Sequence, residues 1–598
     1  MNGRKPSDFT GTARRFLAEL RGDRIRLAAI VLTSLLSVAG TVVVPVLLGH
    51  ATDTVVSGYR SGSLDTASLW TALGWAVAVS VAGWGLTVAT GRLIASTAQA
   101  VAYRLRTEAD DKITRVPLSY FDSRTRGEVI SRVTNDIDNL TQTFQMIFQR
   151  TLMSLVMLVL VPVMMLRISP LLTGIVLLTL PAVVLTVVMI GKRSQPEFGR
   201  QWAATGRLNG HIEETFTGHA VVTAFGRHRS AVEEFTEHND DLYASASKAQ
   251  FLSGLLGPAM VMFGSFQFVI VAVVGGLRVA SGTMSIGEIQ AFIQYVTQLQ
   301  QPVSMLSTMA GQIQSAVASA ERVYDFLDAE EEDPDPEPAA ELGTVAGHIS
   351  FEGVSFRYKD DEPLIEDLTV TAEPGETVAV VGPTGAGKTT LVNLLMRFYE
   401  IDGGAILVDG VKTTDMTRAA LRRPVGMVLQ DAWLFNGTIA ENIAYGRPDA
   451  SREEVEAAAR AAHADRFIRT LPDGYDTVVD ADEGSGLSSG EQQLLTIARA
   501  FLIDPSVLVL DEATSSVDTR TEMLVQKAMV ELRKGRTGFV IAHRLSTIRD
   551  ADTIIVMERG KVVEQGSHER LLEERGAYAR LYEAQFAAAA EEVEGAAV

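Results

Sequence analysis

The feature that most constrains this chain is a series of apolar runs, each about twenty residues long, in its first half. They occupy residues 27–48, 70–94, 146–166, 171–190, 251–277 and 286–309. About twenty residues of helix are enough to cross the hydrocarbon core of a bilayer. The runs therefore predict a membrane domain with six crossings. The last run is the weakest, because Gln290, Gln294 and Gln298 dilute its hydrophobicity.

The residues before the first run indicate how the chain enters the membrane. Residues 1–26 are basic and contain an amphipathic stretch around Phe16 and Leu20. The following run is longer than the apolar region of about 7–15 residues in a signal peptide. A basic flank stays in the cytoplasm, and six crossings return the chain to that side. We expect a multi-pass protein of the plasma (cell inner) membrane.

The connections between the runs are uneven in length. Residues 95–145 and 191–250 are long, polar and rich in helix formers, whereas the other connections are short. By the crossing count both long connections are cytoplasmic, and their composition predicts helices that continue past the membrane. Their turns, near 120–126 and 214–219, could press on a neighbouring domain. The alternative for either connection alone is a solvated helical hairpin.

Composition excludes several functions and marks the domain boundaries. The 598 residues carry a net charge of −20, which argues against a nucleic-acid binder, and the absence of cysteine excludes disulfides and thiolate metal sites. An acidic, proline-rich stretch, 328–346, is expected to be a solvated tether. Strand and helix patterns alternate after it. We predict a basic N-terminus with an elbow helix, a transmembrane domain, a linker, an ATPase domain and a flexible tail, at 1–26, 27–327, 328–346, 347–585 and 586–598.

A glycine-rich loop after a strand-like run carries the chemistry of the second half. Residues 382–389 fit G-x-x-x-x-G-K-[ST], and a helical pattern follows. Glycines let backbone N–H groups face a phosphate chain, Lys388 offers charge to the outer phosphates, and the Thr389 hydroxyl can bind Mg²⁺. The predicted phosphate contacts are Gly382, Pro383, Thr384, Gly385, Ala386, Gly387, Lys388, Thr389 and Thr390. The alternative is a glycine-rich turn with a surface lysine.

Two further apolar strands end in residues suited to nucleotide hydrolysis. Asp511 and Glu512 follow one strand, where Asp511 could hold Mg²⁺ through water and Glu512 could polarise the attacking water. His543 follows another strand and could contact the γ-phosphate and that water. The alternatives are a carboxylate pair that caps a helix and a histidine satisfied within the core.

Polar residues inside the apolar runs suggest a pathway. Gln290, Gln294, Gln298 and Gln301 lie on one helix face. With Gln267, Phe263, Phe266 and Tyr295 they could line a cavity, or the glutamines could join helices by hydrogen bonds. Because ionisable residues are scarce in the runs, we expect amphipathic, hydrophobic or lipid-like substrates.

Four more motifs make a family resemblance specific. Residues 487–493 (L-S-S-G-E-Q-Q), Gln430, residues 515–518 and Tyr358 resemble the signature, Q-loop, D-loop and A-loop of ABC transporter ATPases. Over residues 10–585 the chain resembles a half-transporter of the ABC exporter family, which comprises multidrug and lipid exporters. The expected fold is a six-helix all-α transmembrane domain fused to an α/β P-loop ATPase domain.

The resemblance implies a dimer with two ATP molecules between the ATPase domains. One subunit supplies Lys388, Asp511, Glu512 and His543, and the other supplies the signature with Ser488 and Gly490, near Asp518. Tyr358 stacks on adenine. Thr389, Gln430 and Asp511 hold Mg²⁺, and Gln430 passes movement to the cytoplasmic turns.

The signature departs from the family's usual L-S-G-G-Q at Ser489 and Glu491, and residues 480–484 also depart from the usual pattern. By contrast, Lys388, Asp511, Glu512 and His543 match the family pattern. An altered signature beside intact catalytic residues resembles one subunit of heterodimeric multidrug exporters and favours a heterodimer over a homodimer. The expected partners are a second half-transporter, membrane lipids and a hydrophobic substrate. Two alternatives remain open: an importer of a siderophore or lipid on the exporter scaffold, and a membrane-anchored regulatory ATPase.

Overall fold

The computed structural model describes residues 8–359, 361–429, 432–479, 486–511, 519–542 and 545–583. The chain divides into two compact units. One comprises Met1–Val116 with Arg124–Glu330, and the other comprises Pro117–Ser123 with Glu331–Val598. The short Pro117–Ser123 segment therefore groups with the second unit, although its sequence lies between two membrane runs.

The first unit is helical throughout its described part. Its helices, with the one helix of the Pro117–Ser123 segment included as α4, are α1 Phe9–Glu19, α2 Arg24–Ser61, α3 Thr66–Ile113, α4 Leu118–Asp122, α5 Arg126–Ser131, α6 Ile137–Met146, α7 Leu152–Ile168, α8 Pro170–Thr217, α9 His219–Ala224, α10 His228–Gly254, α11 Leu256–Ala280 and α12 Ile286–Leu327. Single π-helical turns at Arg132–Asp136 and Ile147–Thr151 join α5, α6 and α7 into one continuous stretch.

Among the residues that the structure describes, five helical stretches are long and apolar enough to cross a membrane. They are Phe9–Ser61, Thr66–Ile113, Arg126–Ile168, Pro170–Thr217 and His228–Ala280. The sixth predicted run lies in α12, which is helical but is not among these five, as its diluting glutamines lead one to expect. Helices α3 and α8 have 48 residues each. At 1.5 Å per residue they are about 72 Å long, which exceeds the hydrocarbon core of about 30 Å and confirms long extensions beyond the membrane.

Close backbone contact and an ion pair to a buried carboxylate hold α12 in the first unit. A Cβ atom on Gly287 would lie 2.0 Å from the Gly49 carbonyl oxygen, so both helices need glycine there. Nearby, Asp53 of α2 accepts hydrogen bonds from the Ser285 hydroxyl at 2.6 Å and the Gly287 N–H at 2.8 Å. At the other end of α12, Arg322 donates to the buried Asp136 carboxylate at 2.8 Å. A charge this buried requires such a partner.

In its described residues, the second unit contains three sheets and short helices. The strands are β1 Ile349–Lys359, β2 Glu362–Ala372, β3 Thr377–Val381, β4 Gly403–Val408, β5 Val411–Lys412, β6 Val425–Val428, β7 Gly437–Thr438, β8 Val478–Val479, β9 Val507–Asp511, β10 Thr537–Ile541, β11 Thr553–Glu558 and β12 Lys561–Gly566. The helices are α13 Lys388–Leu395, α14 Arg418–Arg422, α15 Ile439–Ala444, α16 Arg452–Ala461, α17 Asp465–Ile468, α18 Ser489–Ile503, α19 Thr519–Arg533, α20 Leu545–Arg549 and α21 His568–Glu573.

The six-stranded sheet, in the order β12-β11-β3-β10-β9-β6, is the frame of this unit. Its central strands β3, β9 and β10 run parallel. Alternate residues of β3 enter different apolar cores, with Val378 and Val380 on one face and Ala379 and Val381 on the other. A sheet covered on both faces explains the continuous apolar runs, and parallel strands place their carboxyl ends along one edge.

The acidic stretch at 328–346 is more than a solvated tether. The Arg418 guanidinium, whose side chain is 10 % exposed, lies 3.4 Å from Glu332 and 3.0 Å from Asp335. It also donates to the Asp333 carbonyl at 2.6 Å and to Glu400 at 2.8 Å. The acidic composition hid this role because a charge run by itself does not reveal a buried cation in another part of the chain.

Candidate nucleotide site

The glycine-rich loop has the backbone geometry that its residues predict. Gly382, Gly385 and Gly387 have φ values of 154°, 82° and 96°. A Cβ atom on Gly382 would lie 2.2 Å from the Met557 carbonyl oxygen. Glycine is therefore required where the chain leaves β3, both for its conformation and for the space.

The loop ends at a helix start that can hold an anion. Gly387 caps α13 without a side-chain hydrogen bond, so the first N–H groups of the helix have no side-chain acceptor at their cap. Lys388 follows, and its Nζ donates to the Gly382 and Pro383 carbonyls at 2.8 and 3.0 Å. Burial lowers the pKa of Lys388, and the negative charge of Asp511 acts against that shift. Backbone donors without a side-chain cap, a lysine and a nearby carboxylate fit a phosphate chain with a divalent cation.

Three strand ends meet beside this loop. In the β9–β10–β3 register, Ile541 pairs with Asp511 on one side and with Val380 on the other. Asp511 therefore ends its strand level with Val380, two residues before the loop begins at Gly382. Four predicted site residues lie outside the described residues: Gln430, Glu512, Asp518 and His543. Their assignment remains a prediction, although β6, β9 and β10, which lead towards Gln430, Glu512 and His543, are in place.

Tyr358, the predicted adenine contact, lies beside the loop helix. It is 48 % exposed at the end of β1, and its hydroxyl is 3.1 Å from the Thr390 hydroxyl. The rings of Phe356 and Tyr399 pack edge-on against it, with centroids at 4.8 and 5.0 Å. The ring is thus oriented by its neighbours and still presents surface to a ligand.

Tyr399 was missed by the sequence reasoning. Its hydroxyl donates to the Asp122 carboxylate of the Pro117–Ser123 segment, and burial with this hydrogen bond raises the pKa of Tyr399. Tyr358, Tyr399 and Asp122 therefore form a contact chain from the nucleotide site to a segment taken from one of the long polar connections. Nothing in the sequence around Tyr399 signals a partner that lies so far away along the chain.

The signature residues begin helix α18 with hydrogen bonds to one another. Ser488 is the N-cap, and the backbone N–H of Glu491 donates to its hydroxyl at 3.3 Å. In return, the Glu491 carboxylate accepts from the Ser488 N–H at 2.8 Å and from its hydroxyl at 2.9 Å. This is a capping box. Gly490 is buried in the first turn.

The proposed membrane lining divides into two groups. Gln267 is buried and donates to the Thr179 hydroxyl at 2.6 Å, and Gln290 accepts from Thr52, so both join helices. Tyr295 is fully buried, with its hydroxyl donating to the Val42 carbonyl, and does not line a cavity. Gln294 and Gln298 are half-buried, Phe263 is half-buried and Phe266 is exposed, so these four remain candidates. The side chain of Gln301 lies outside the described part.

A phosphate-binding ATPase unit fused to a helical membrane unit defines the class of this protein as a membrane-embedded ATPase. Family models agree: "ABC transporter transmembrane region" matches residues 27–303, and "ABC transporter" matches residues 365–515. The fatty acid ABC transporter ATP-binding/permease protein of Mycobacterium bovis is 51 % identical, with 96 % of each chain covered. The ATP-dependent lipid A-core flippase of Syntrophus aciditrophicus is 35 % identical and covers 98 % of this chain and 97 % of its own.

A solved structure gives the same answer. A bacterial Atm1-family ABC exporter with ATP bound superposes with a TM-score of 0.73 at 29 % identity, covering 94 % of this chain and 98 % of that one. The chain belongs to the ABC transporter family and has the exporter fold. It is an ATP-dependent translocase that binds ATP, functions as a dimer and keeps its ATPase domain in the cytoplasm. The exporter fold argues against the importer alternative, and near full-length similarity to transporters argues against a regulatory ATPase.

Proposed function

We propose that this chain is one subunit of a heterodimeric exporter that moves amphipathic or hydrophobic small molecules, lipids or drugs, out of the cell. The observation that carries the heterodimer is the contrast between an open phosphate loop and a signature whose serine is held by its own Glu491. The phosphate loop of this chain has no side-chain cap that competes with an anion, whereas the signature that contacts the partner's ATP does.

The hydrolytic half is assigned to this chain. Lys388 and the loop N–H groups hold the ATP phosphates, and Thr389, Asp511 and Gln430 would hold Mg²⁺, which would neutralise charge on the phosphates. Glu512 accepts the proton of the attacking water, and His543 orients that water towards the γ-phosphate. Tyr358 stacks on adenine. These assignments follow the motif order, and the Lys388, Asp511 and Tyr358 geometry supports them.

The signature half acts on the partner's nucleotide. Ser488 and Gly490, with Asp518 nearby, are expected to contact the ATP held by the other subunit. In the structure the Ser488 hydroxyl and N–H are already bonded to the Glu491 carboxylate. An ATP phosphate must displace that carboxylate or accept its negative charge close by, and both options cost free energy. The site completed by this signature is therefore the weaker of the two.

The substrate class rests on the membrane unit and on its relatives. Ionisable residues are scarce in the spans, which disfavours strongly charged cargo. Relatives are named for fatty acids and for lipid A-core. We place lipids, with fatty acids among them, first and drugs second.

Co-purification from the native membrane tests the subunit assignment. We expect a second, different half-transporter with a degenerate catalytic glutamate or histidine to accompany this chain, together with bound lipid. The chain purified alone and reconstituted in liposomes should show little ATPase activity. Full ATPase activity with normal transport and no partner would overturn the heterodimer.

Direction is tested separately with labelled fatty acid in vesicles that contain the purified pair. ATP-driven accumulation in inside-out vesicles is the expected result. Accumulation only in right-side-out vesicles loaded with ATP would establish import and refute export. The Glu512→Gln variant serves as the control, because removal of the proton acceptor should trap a closed ATP-bound state and stop transport in either direction.

A further inference from the structure

The long helical hairpin of the first unit carries a cluster of imidazole and carboxylate groups that the transport proposal does not use. Four of the nine histidines lie between residues 211 and 238, and histidine is the commonest protein ligand for transition metals. His211 is on α8, whereas Glu234 and His238 lie one turn apart on α10. The short helix α9 joins the two helices.

The three side chains converge on one point. The His211 Nδ1 atom is 3.8 Å from the Glu234 carboxylate, and the His238 Nε2 atom is 3.9 Å from the same oxygen. One ligand atom from each residue lies within 4.8 Å of the other two. These separations exceed the roughly 3.2 Å limit of a good hydrogen bond, so the groups are not arranged as a hydrogen-bonded ion pair.

The orientation of His211 is set by its other ring nitrogen. Its Nε2 atom is 3.1 Å from the Ala231 carbonyl oxygen. Because a carbonyl only accepts, Nε2 carries a proton, which leaves Nδ1, on the side of Glu234, as the ring nitrogen that can bind a metal. A histidine ligand whose second nitrogen donates to a carbonyl is the usual arrangement at a metal site. The side chain is only 10 % exposed, which restricts rotation of the ring.

We propose that His211, Glu234 and His238 form a binding site for a divalent transition metal of the zinc class that bridges α8 and α10. Tetrahedral ligands with bonds of about 2.0–2.1 Å lie about 3.3 Å apart. The two separations to Glu234 therefore need to close by about half an ångström, and the separation between the two histidine nitrogens, which is within 4.8 Å, by up to about 1.5 Å. The Glu234 side chain is 60 % exposed and that of His238 25 %, so an ion can enter from water and keep a water ligand. Two imidazoles and one carboxylate suit Zn²⁺ or Co²⁺ rather than Mg²⁺ or Ca²⁺.

The site goes beyond the transport function and links two elements of the cytoplasmic extension. A bound ion connects α8 to α10 close to α9. It therefore favours any conformation in which the two helices keep this spacing. No partner subunit and no nucleotide are needed to complete the three-ligand set.

The test is metal binding by the full-length chain, carrying a cleavable tag without histidine, in nanodiscs after chelator treatment. Co²⁺ is the spectroscopic probe, and Zn²⁺ is titrated in competition with a chromophoric chelator. Because the chain has no cysteine, visible absorption from bound Co²⁺ reports nitrogen and oxygen ligands alone. We expect one equivalent per chain with a tetrahedral or five-coordinate spectrum, displaced by Zn²⁺ and unaffected by excess Mg²⁺.

Matched variants locate the ion. His211→Gln, Glu234→Gln and His238→Gln should each weaken Zn²⁺ binding by at least about tenfold. The double variant His219→Gln/His228→Gln removes the other histidine pair of the hairpin, whose rings are 6.1 Å apart, and should leave the affinity unchanged. Glu234→Gln preserves the size of a side chain that is 60 % exposed, so we expect this variant to fold like the parent chain.

Three results would overturn the proposal. One is no Co²⁺ spectrum in the parent chain at millimolar Co²⁺. Another is equal affinity in the parent and in Glu234→Gln. The third is loss of binding in the His219/His228 variant alone, which would move the ion to that pair.

Discussion

Two helices of the ATPase unit begin beside motifs assigned to ATP phosphates, and they begin in opposite ways. Helix α13 starts at Gly387 with no side-chain cap and with Lys388 in its first turn. Helix α18 starts at Ser488 with its cap closed by Glu491. Both starts carry the positive end of a helix dipole. One leaves that end open to a ligand, and the other satisfies it with a carboxylate from its own chain.

The difference matters because the N–H groups at a helix start can bind phosphate only where they are not already paired with another acceptor. A capping box stabilises the local fold by pairing those same donors. In this chain the two helix starts are capped differently, and this difference is the physical basis for proposing unequal ATP sites. Four substitutions test the contrast.

The largest effect is expected at the open helix start. Lys388→Ala removes the positive charge next to the phosphates and should lower ATPase activity and transport by at least about 100-fold. Steady-state ATP hydrolysis by the reconstituted pair measures this effect. Lys412→Ala, at an exposed lysine of β5, is the matched control. Uphill transport by Lys388→Ala at the parent's rate would place the energy source elsewhere.

At the closed helix start, Glu491→Gln removes the charge while glutamine can still form a capping box. We expect tighter ATP binding at the composite site that α18 completes, by about fivefold or about 1 kcal/mol. Trapping of labelled ATP in the pair is the readout. Weaker ATP binding would mean that the Glu491 carboxylate favours binding of the nucleotide. It would refute the idea that the start of α18 is closed to phosphate.

A smaller effect, on the coupling of ATP hydrolysis to transport, is expected at Tyr399, which contacts the Pro117–Ser123 segment. Tyr399→Phe keeps the ring beside Tyr358 but removes the hydrogen bond to Asp122, and should lower transport per ATP hydrolysed by about threefold. The ratio of the two rates in proteoliposomes measures this coupling. Tyr475→Phe removes an equivalent bond to Asp465, at 2.6 Å, elsewhere in the ATPase unit, and should leave the ratio unchanged. An equal ratio of transport to ATP hydrolysis in the parent, Tyr399→Phe and Tyr475→Phe would show that Tyr399 takes no part in coupling.

The smallest effect is expected at a second capping box. Glu454 closes the start of α16 on Ser451, as Glu491 closes α18 on Ser488. Glu454→Gln should change ATP trapping less than about twofold, because no phosphate is expected there and glutamine preserves the box. If it matched the effect of Glu491→Gln, general helix stability rather than phosphate repulsion would explain both results.

Much of the architecture was predictable because its signals are local. Apolar runs of bilayer length, the glycine loop between strand and helix, and the order of later motifs each depend on residues adjacent in sequence. The glutamine row shows the limit. Its spacing defined one helix face but could not tell lining from helix contact, because Gln267 and Gln290 acquire their partners from other helices.

The sequence by itself determined the class of the protein: membrane helices, a phosphate loop and an ordered series of ABC motifs with an altered signature, whose residue types are dictated by the chemistry they perform. Only the tertiary structure decided which groups are already occupied. It paired Glu491 with Ser488, Asp122 with Tyr399, and Arg418 with the acidic stretch, and it brought His211 to Glu234 and His238. The physical reason is that hydrogen bonds and ion pairs depend on distances of a few ångströms in space, which spacing along the chain does not encode.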